Sequence, residues 1–255
     1  MRNLKLVLAY DGTDFCGWQV QPGAPSIQGT LGSAIGRITG EKVLAQGSGR
    51  TDAGVHALAQ VASFQTESVI PAANLVTALN DILPAAIRVM EAFEVTADFH
   101  ARKSAKAKTY RYRIYRGAIC PPFLARYVWH YPYPLDFAAM EEAALLVEAE
   151  HDFTSFAAAD PEKCKTLEAA EHGCASNVRK VFSSRWRQDG DEFIYEIRGT
   201  GFLHHMVRNL VGTFLLVGKG TLKPQDIVRI LGTRDRSAAG ATAPASGLYL
   251  ISVEY

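Results

Sequence analysis

The chain has little cysteine and no long run of apolar residues. Its four cysteines are scattered without Cys-x-x-Cys spacing, at Cys16, Cys120, Cys164 and Cys174. This pattern predicts neither a disulfide framework nor a zinc ribbon, and we expect free thiols. No apolar stretch approaches the roughly 18 residues that a membrane helix requires, and the opening MRNLKLVLAYDGTDF has too short an apolar run for a signal peptide. We therefore expect a soluble, globular, cytoplasmic protein.

The usual signatures of metal, nucleotide and nucleophile sites are also missing. The seven histidines show no His-x-His or His-x-x-x-His spacing, and the only cluster that could suggest zinc is Cys164, His172 and Cys174. The stretch GSGRTDAG at 47–54 lacks the Gly-Lys-Ser/Thr ending of a phosphate loop. No Gly-x-Ser-x-Gly elbow is present, although a Ser-His-Asp triad assembled in space stays open. We expect neither a metal nor a nucleotide cofactor.

Acidic residues are absent from one long stretch, His100 to Leu135, although the net charge of the chain is only +1. This basic strip contains eight basic residues: Arg102, Lys103, Lys106, Lys108, Arg111, Arg113, Arg116 and Arg126. Aromatic residues are interleaved with them: Tyr110, Tyr112, Tyr115, Phe123, Tyr127 and Trp129. Such a surface suits an RNA backbone with unstacked bases, and a solvated face is the alternative.

The first half of the chain predicts the element order β-α-β-β-α-β. LKLVLAY alternates as a strand, Ser26 can cap the helix that follows, and Gly40 can end it. Two strands are predicted near 43–47 and 58–64. A second helix opens at Pro71, and IRVMEAFEV alternates as a closing strand.

The second half repeats this order between the strands TYRYRIY and GLYLISVEY. We predict helices at about 136–149 and 203–217, with a hairpin that turns at Asp189-Gly190. A short helix opens at Pro224 before the last strand.

The repeated order predicts an α+β fold of two ferredoxin-like (RRM-like) units that share a central, mainly antiparallel sheet. We assign 1–100 to an N-terminal lobe and 101–255 to a C-terminal lobe that carries the basic strip. An insertion-like segment near 158–173 lies in the second lobe.

The stretch GSGRTDAGVH at 47–56 falls between the second and third predicted strands. Small residues let a backbone pass close to a ligand, and Asp52 on such a loop can point outward from a rigid sheet. An ordinary turn is the alternative, because Asp52 followed by Gly54 is also typical turn chemistry. The loop alone leaves both interpretations open.

Seven motifs span nearly the whole chain: YDGTDFCGWQ (10–19), SIQGTL (26–31), GRTDAGVHA (49–57), FHAR (99–102), YRYRIY (110–115), DFTSF (152–156) and FLHHMVRNLVG (202–212). Together they resemble the tRNA pseudouridine synthase A family, and the pair GRTDAGVHA and HHMVRN is highly specific. The resemblance implies isomerisation of uridine to pseudouridine at positions 38–40 of the tRNA anticodon stem-loop. It also implies a homodimer with the pseudouridine synthase fold that needs no metal or cofactor. The segment 158–173 departs from the family's commoner, shorter segment, so no tRNA contact is carried over there.

The resemblance also implies roles for single residues. Asp52 matches the catalytic aspartate, and Tyr110 matches the aromatic that stacks on the target uracil and is a candidate base for the C5 proton. Arg208 can pair with Asp52 and hold it ionised, while Arg50 can fill the vacated stack or clamp a phosphate. Each residue also has a structural alternative. These are an ordinary turn for Asp52, a core tyrosine for Tyr110, a solvent-facing helical arginine for Arg208 and a surface ion pair for Arg50.

Substrate binding is further assigned to three lysines of the basic strip, Lys103, Lys106 and Lys108. For Phe202, His204 and His205 we expect packing and hydrogen bonding rather than chemistry.

Several chemical and functional alternatives stay open. The aspartate can attack C1′, add to C6 of the uracil or remove a sugar proton. A module that binds and chaperones tRNA without reacting is the alternative from another class, and a synthase acting on a different RNA is the alternative enzyme. Asp52 together with Arg208 favours an enzyme, because binding alone would not require them.

Overall fold

The computed structural model describes residues 1–159 and 176–255. Within these residues the chain forms ten strands and five α-helices, which confirms the α+β class. The cluster Cys164, His172 and Cys174 and most of the segment 158–173 lie outside the described residues. Cys16 and Cys120 are free thiols, as expected. None of the helices in the described ranges is long and apolar enough to cross a membrane.

The elements of the first half are β1 (Arg2–Tyr10), α1 (Ile27–Thr39), β2 (Gln46–Gly47), β3 (His56–Thr66), α2 (Ala72–Ile82) and β4 (Ile87–Val95). Those of the second half are β5 (Ala107–Tyr115), β6 (Trp129–His130), α3 (Phe137–Leu145), β7 (Ala149–Asp152), β8 (Val178–Asp189), β9 (Glu192–Gly199), α4 (Met206–Gly218), α5 (Asp226–Thr233) and β10 (Leu248–Glu254). Both predicted orders are present, with β6 and β7 as additions.

The chain folds into two compact units. Unit 1 comprises Met1–Arg111, Ala125–Tyr127 and Ala245–Tyr255. Unit 2 comprises Tyr112–Leu124 and Val128–Pro244. These bounds differ from the predicted lobes, 1–100 and 101–255, because β10 pairs with β3 of the first half and β5 begins in unit 1.

The helix ends of unit 1 follow the predicted local chemistry. The Ser26 hydroxyl accepts a hydrogen bond from the Gly29 amide and caps α1, and Gly40, with a φ of 75°, ends that helix. The second strand is shorter than predicted. The Gln28 side chain donates to the Ala45 carbonyl (2.9 Å), and Ala45 lies outside β2.

The sheet of unit 1 has the order β4-β1-β3-β10, with β2 also on β3. Strand β1 is antiparallel to both β3 and β4, and its Leu4, Leu6 and Leu8 are buried. The other edge of β3 is divided: β2 pairs at Ala62 and Ser63, and β10 pairs in parallel at its start. The loop from β2 to β3 therefore begins beside Ala62 of β3 and ends at the start of β3, next to β10.

Unit 2 contains β8 between β7 and β9, both antiparallel to it. The predicted hairpin is confirmed, with Gly190 at a φ of 55° in its turn. Helix α3 ends at Leu145, earlier than predicted, because Ala149 already begins β7. Helix α4 begins at Met206 rather than 203, because His205 has a left-handed φ of 59°.

Candidate active site

Residues 48–55, here called the Asp52 loop, join β2 to β3 in unit 1. Their first part is fastened to β3 by Gln60, a fully buried amide. The Ser48 hydroxyl donates to Gln60 Oε1 (2.6 Å), and Gln60 Nε2 donates to the Gly49 carbonyl (3.0 Å). A buried amide with both ends bonded is costly to displace, so Gln60 stabilises this end of the loop in its position.

The end of β1 and the segment that follows it hold the middle of the loop. Thr51 Oγ1 lies 2.8 Å from the Tyr10 hydroxyl, and the Thr51 carbonyl accepts from the Trp18 amide (3.0 Å). Gly17, with a φ of 88°, passes so close that a Cβ there would lie 2.4 Å from the Thr51 carbonyl oxygen. Only glycine fits this position, which explains the Gly-Trp of the first motif.

A tight turn follows Asp52. The Asp52 carbonyl accepts from the Val55 amide (3.1 Å), and the Gly54 amide donates to the Phe15 carbonyl (3.3 Å). Gly54 has a φ of 77°, in the region that favours glycine. Main-chain atoms therefore close the turn on which the half-buried Asp52 lies.

His56 fixes the end of the loop. Its Nδ1 accepts from the Gly12 amide (3.2 Å), and its Nε2 lies 3.1 Å from the Arg126 carbonyl oxygen. Burial lowers the pKa of His56, and the Asp11 carboxylate, 3.2 Å from Nδ1, opposes this shift. A neutral ring with its hydrogen on Nε2 satisfies both hydrogen bonds. We assign this state, in which both ring nitrogens of His56 hold the end of the loop in position.

The neutral state of His56 predicts a loss of stability in mild acid. Its pKa is lower in the folded protein than the unfolded value near 6.5, so this contribution is complete above about pH 6.5 and is lost as the pH falls through the folded pKa. We expect the free energy of unfolding in urea to fall from about pH 7 to about pH 5.5, and His56→Gln to reduce that slope. His130→Gln, at an exposed histidine, is the control. An unchanged slope in His56→Gln would contradict the assignment.

Tyr110 lies on the part of β5 that belongs to unit 1 and is 7% exposed. Burial raises the pKa of Tyr110 well above its usual range, and Tyr10 and the negative charge of Asp52 raise it further. The phenol is therefore protonated, and it lies near enough to the Asp52 carboxylate to interact with its charge. The structure brings these two predicted site residues together and adds Tyr10, which sequence reasoning missed although it begins the motif YDGTDFCGWQ.

The predicted substrate-binding lysines differ in their surroundings. Lys108 Nζ donates to the Ser48 carbonyl (2.6 Å), so Lys108 also supports the Asp52 loop. A Cβ on Gly49 would lie 3.0 Å from this Nζ, so the lysine passes close to the loop. Lys103 and Lys106 are exposed, as is Arg50 on the loop itself. Their contacts with RNA stay predictions.

Arg208 lies on α4 of unit 2 and is half-buried. Its Nε donates to the Ala243 carbonyl (2.7 Å), and its own carbonyl accepts from the Ala243 amide (3.1 Å). In the same unit the buried Tyr112 has a raised pKa, which the Arg208 charge partly counteracts. Asp52 belongs to unit 1, and its pairing with Arg208 stays a prediction.

Asn209, the next residue, organises the loop that holds Arg208. Its side chain is fully buried and donates to the Phe156 carbonyl (2.7 Å), while its Oδ1 accepts from Thr242 Oγ1 (2.7 Å) and Arg236 Nη2 (3.0 Å). Sequence reasoning missed this network, although HHMVRN contains the asparagine, because Arg236 and Thr242 are distant in the chain.

Asn209→Ala is expected to lower the free energy of unfolding by about 3 kcal/mol, since a buried amide loses three hydrogen bonds at about 1 kcal/mol each. Urea unfolding at neutral pH measures the change. Gln225→Ala, at an exposed amide bonded to Glu142, is the control and should cost well under about 1 kcal/mol. An equal, small loss in both variants would show that the network adds no stability.

Comparisons with known proteins agree with the motifs. The chain matches a model of the tRNA pseudouridine synthase family over residues 6–102 and 143–255. Proteins named tRNA pseudouridine synthase A are 49% identical over 255 residues in Solibacter usitatus, 46% over 254 in Moorella thermoacetica and 44% over 255 in Caldicellulosiruptor saccharolyticus. These alignments cover 99% or more of both chains. The chain therefore belongs to the tRNA pseudouridine synthase A family and is a pseudouridine synthase.

Proposed function

We propose that the protein converts uridine to pseudouridine at positions 38–40 of the tRNA anticodon stem-loop. We further propose that it acts in the cytoplasm as a homodimer, without metal or cofactor. The observation that carries the proposal is the placement of Asp52: a loop fixed at both ends and in its middle holds this carboxylate near the buried phenol of Tyr110. Relatives named for pseudouridine synthesis in tRNA support the substrate class.

The reaction replaces one bond to the sugar by another. The N1–C1′ bond breaks, the uracil turns while it stays bound, and C5 bonds to C1′. C5 then loses a proton and N1 gains one, so atoms and charges balance without an oxidant or reductant. Asp52 can start this sequence at C1′, at C6 or at a sugar proton, and a loop stabilised in its position holds it at the reacting atom.

Tyr110 suits stacking better than proton removal. Removing its proton beside an ionised Asp52 would place two negative charges close together, and burial adds to the cost. A protonated phenol offers an uncharged, flat ring on which the uracil can stack. We therefore assign Tyr110 to holding the base during its rotation.

The target nucleotide must leave the stacked helix before Asp52 can reach it. Flipping costs a few kcal/mol, which contacts elsewhere have to offset. Arg50 is exposed two residues before Asp52, and its planar guanidinium can occupy the gap or bind the adjacent phosphate. Lys103 and Lys106, also exposed, can contact the RNA backbone.

The proposal is tested with purified protein and an unmodified tRNA transcript that carries uridine at positions 38, 39 and 40. A chelator is present and no cofactor is added. Pseudouridine at these positions, mapped chemically before and after incubation, is the expected result. A transcript with cytidine at all three positions is the control. Modification confined to other positions would overturn the site assignment, and activity only after metal addition would overturn the cofactor-free mechanism.

A further inference from the structure

A groove of about 230 Å³ lies in unit 1 at the start of the Asp52 loop. Its walls come from the residues after β1, from Leu44 and β2, and from Arg50 and Arg102. Of the described residues, ten line the groove, and these include two arginines and no acidic residue. The reaction proposed above assigns a role to Arg50 but none to Trp18, Leu44 or Arg102.

The groove is held by buried contacts. Gln28, which is 7% exposed, accepts from the Val20 amide (3.2 Å) and donates to the Ala45 carbonyl (2.9 Å), so one side chain joins two walls. Gly47 lies against Trp18, and a Cβ on Gly47 would lie 2.5 Å from the indole ring. Packing and hydrogen bonds fix both contacts, so the groove is preorganised for its ligand.

The lining combines apolar and cationic groups. Val20 and Leu44, which both line the groove, are 49% and 59% exposed, so each offers apolar surface to an occupant. The exposed Arg50 and Arg102 supply positive charge, and the amide of Gln46 can donate to and accept from a base edge. Apolar contact, guanidinium groups and an amide together match one nucleotide, with its base, sugar and phosphate.

Size and position favour a nucleotide of the substrate over a larger ligand. The groove is smaller than the roughly 300–1,000 Å³ typical of pockets for drug-sized molecules. Arg50 belongs both to the groove and to the loop that carries Asp52, so an occupant lies next to the reacting nucleotide. Holding a neighbour of the flipped base would help to offset the cost of flipping as the complex forms.

We propose that this groove binds the nucleotide that flanks the target uridine in the tRNA, with its phosphate on Arg50 and Arg102 and its base or sugar against Val20 and Leu44. This inference rests on the proposed function. The groove then contributes affinity for the substrate and takes no part in bond breaking, so its loss acts on KM rather than on kcat.

The test compares two groove variants with matched controls outside the groove. Leu44→Asp places a negative charge at the groove, and Arg102→Gln removes a positive one. Val69→Asp, at a site that is 89% exposed, and Arg37→Gln, at an exposed arginine of α1, make the same charge changes elsewhere in unit 1. Steady-state kinetics on the tRNA transcript give KM and kcat, and thermal unfolding confirms that all four variants fold.

Both groove variants should raise KM for tRNA about tenfold or more, with kcat within about twofold of the wild-type value. Arg102→Gln should also reduce the slope of log affinity against log salt by about one, as expected for one lost phosphate contact. The controls should stay within about twofold of wild type in KM.

Equal KM values in groove and control variants would overturn the proposal. A change in the oligomeric state of Leu44→Asp, measured by sedimentation, at an unchanged KM would also overturn the proposal. The groove would then be an interface between copies of the chain. If wild-type protein makes no pseudouridine, the proposed function fails instead. The dissociation constant for tRNA, measured by filter binding with the same four variants, then still tests the groove separately.

Discussion

Asp52→Asn is expected to abolish pseudouridine formation while tRNA affinity stays within about tenfold of the wild-type value. The amide keeps the size of the carboxylate and loses the charge that each of the three possible first steps requires. The hydrogen bonds that hold the loop, through Ser48, Thr51 and His56, do not depend on this side chain. The loop should therefore keep its position, and the loss should be chemical.

Release of tritium from tRNA labelled at C5 of uridine measures this prediction, because the C5 proton leaves once in each turnover. Asp81→Asn, at an exposed aspartate of α2, is the matched control and should release tritium at the wild-type rate. Mass spectrometry of the peptide that carries the substitution checks that deamidation has not restored the aspartate. Substantial release by an intact Asp52→Asn protein would remove Asp52 from the mechanism.

The α+β class and both element orders could be predicted because they depend on local patterns. Alternating apolar residues in β1 and β4, the Ser26 cap and the Asp189-Gly190 turn act over a few residues each. The length of β2 could not be predicted in this way. It depends on the Ala45 carbonyl being taken by Gln28, and no periodicity contains that contact.

The bounds of the two units were also beyond local patterns. Sequence order alone places the last strand, GLYLISVEY, in the second lobe. In the structure β10 pairs with β3 at His56 and Ala57, directly after the Asp52 loop. Strand β2 has only two residues and leaves the start of β3 open for β10. A single sequence does not reveal this pairing, because the two strands are far apart in the chain.

The candidate site likewise contains residues that local motifs identify and residues that only distant contacts identify. Motifs point to Asp52 and Tyr110, whose nearness within unit 1 the structure supports. The residues that fix the Asp52 loop, Tyr10 and Gln60, carry no chemical signature, because a buried tyrosine or glutamine is ordinary in a strand. Their function depends on partners about 10 to 40 residues away, at Ser48 and Thr51.

Arg208→Lys is expected to lower the rate of pseudouridine formation by about 100-fold, far more than an exchange at a surface arginine. Arg208 Nε already donates to the Ala243 carbonyl, so a bidentate pair with a carboxylate would use both Nη atoms. The lysine ammonium carries its three donors on one nitrogen, so it cannot reproduce the planar fork that would bind a carboxylate and the Ala243 carbonyl together. Arg229→Lys, at an exposed site on α5, is the control and should leave the rate unchanged.

The pH dependence of the rate separates pairing with Asp52 from a structural role. If Arg208 holds Asp52 ionised, Arg208→Lys should move the acidic limb of the rate profile to higher pH. In the Asp52→Asn background no carboxylate is left to hold, and Arg208→Lys should change the residual rate and the tRNA affinity by less than about twofold. A near-normal rate with an unmoved acidic limb would leave Arg208 as an ordinary helical arginine. Arg50, on the same loop, would then be the first candidate for a cation that pairs with Asp52.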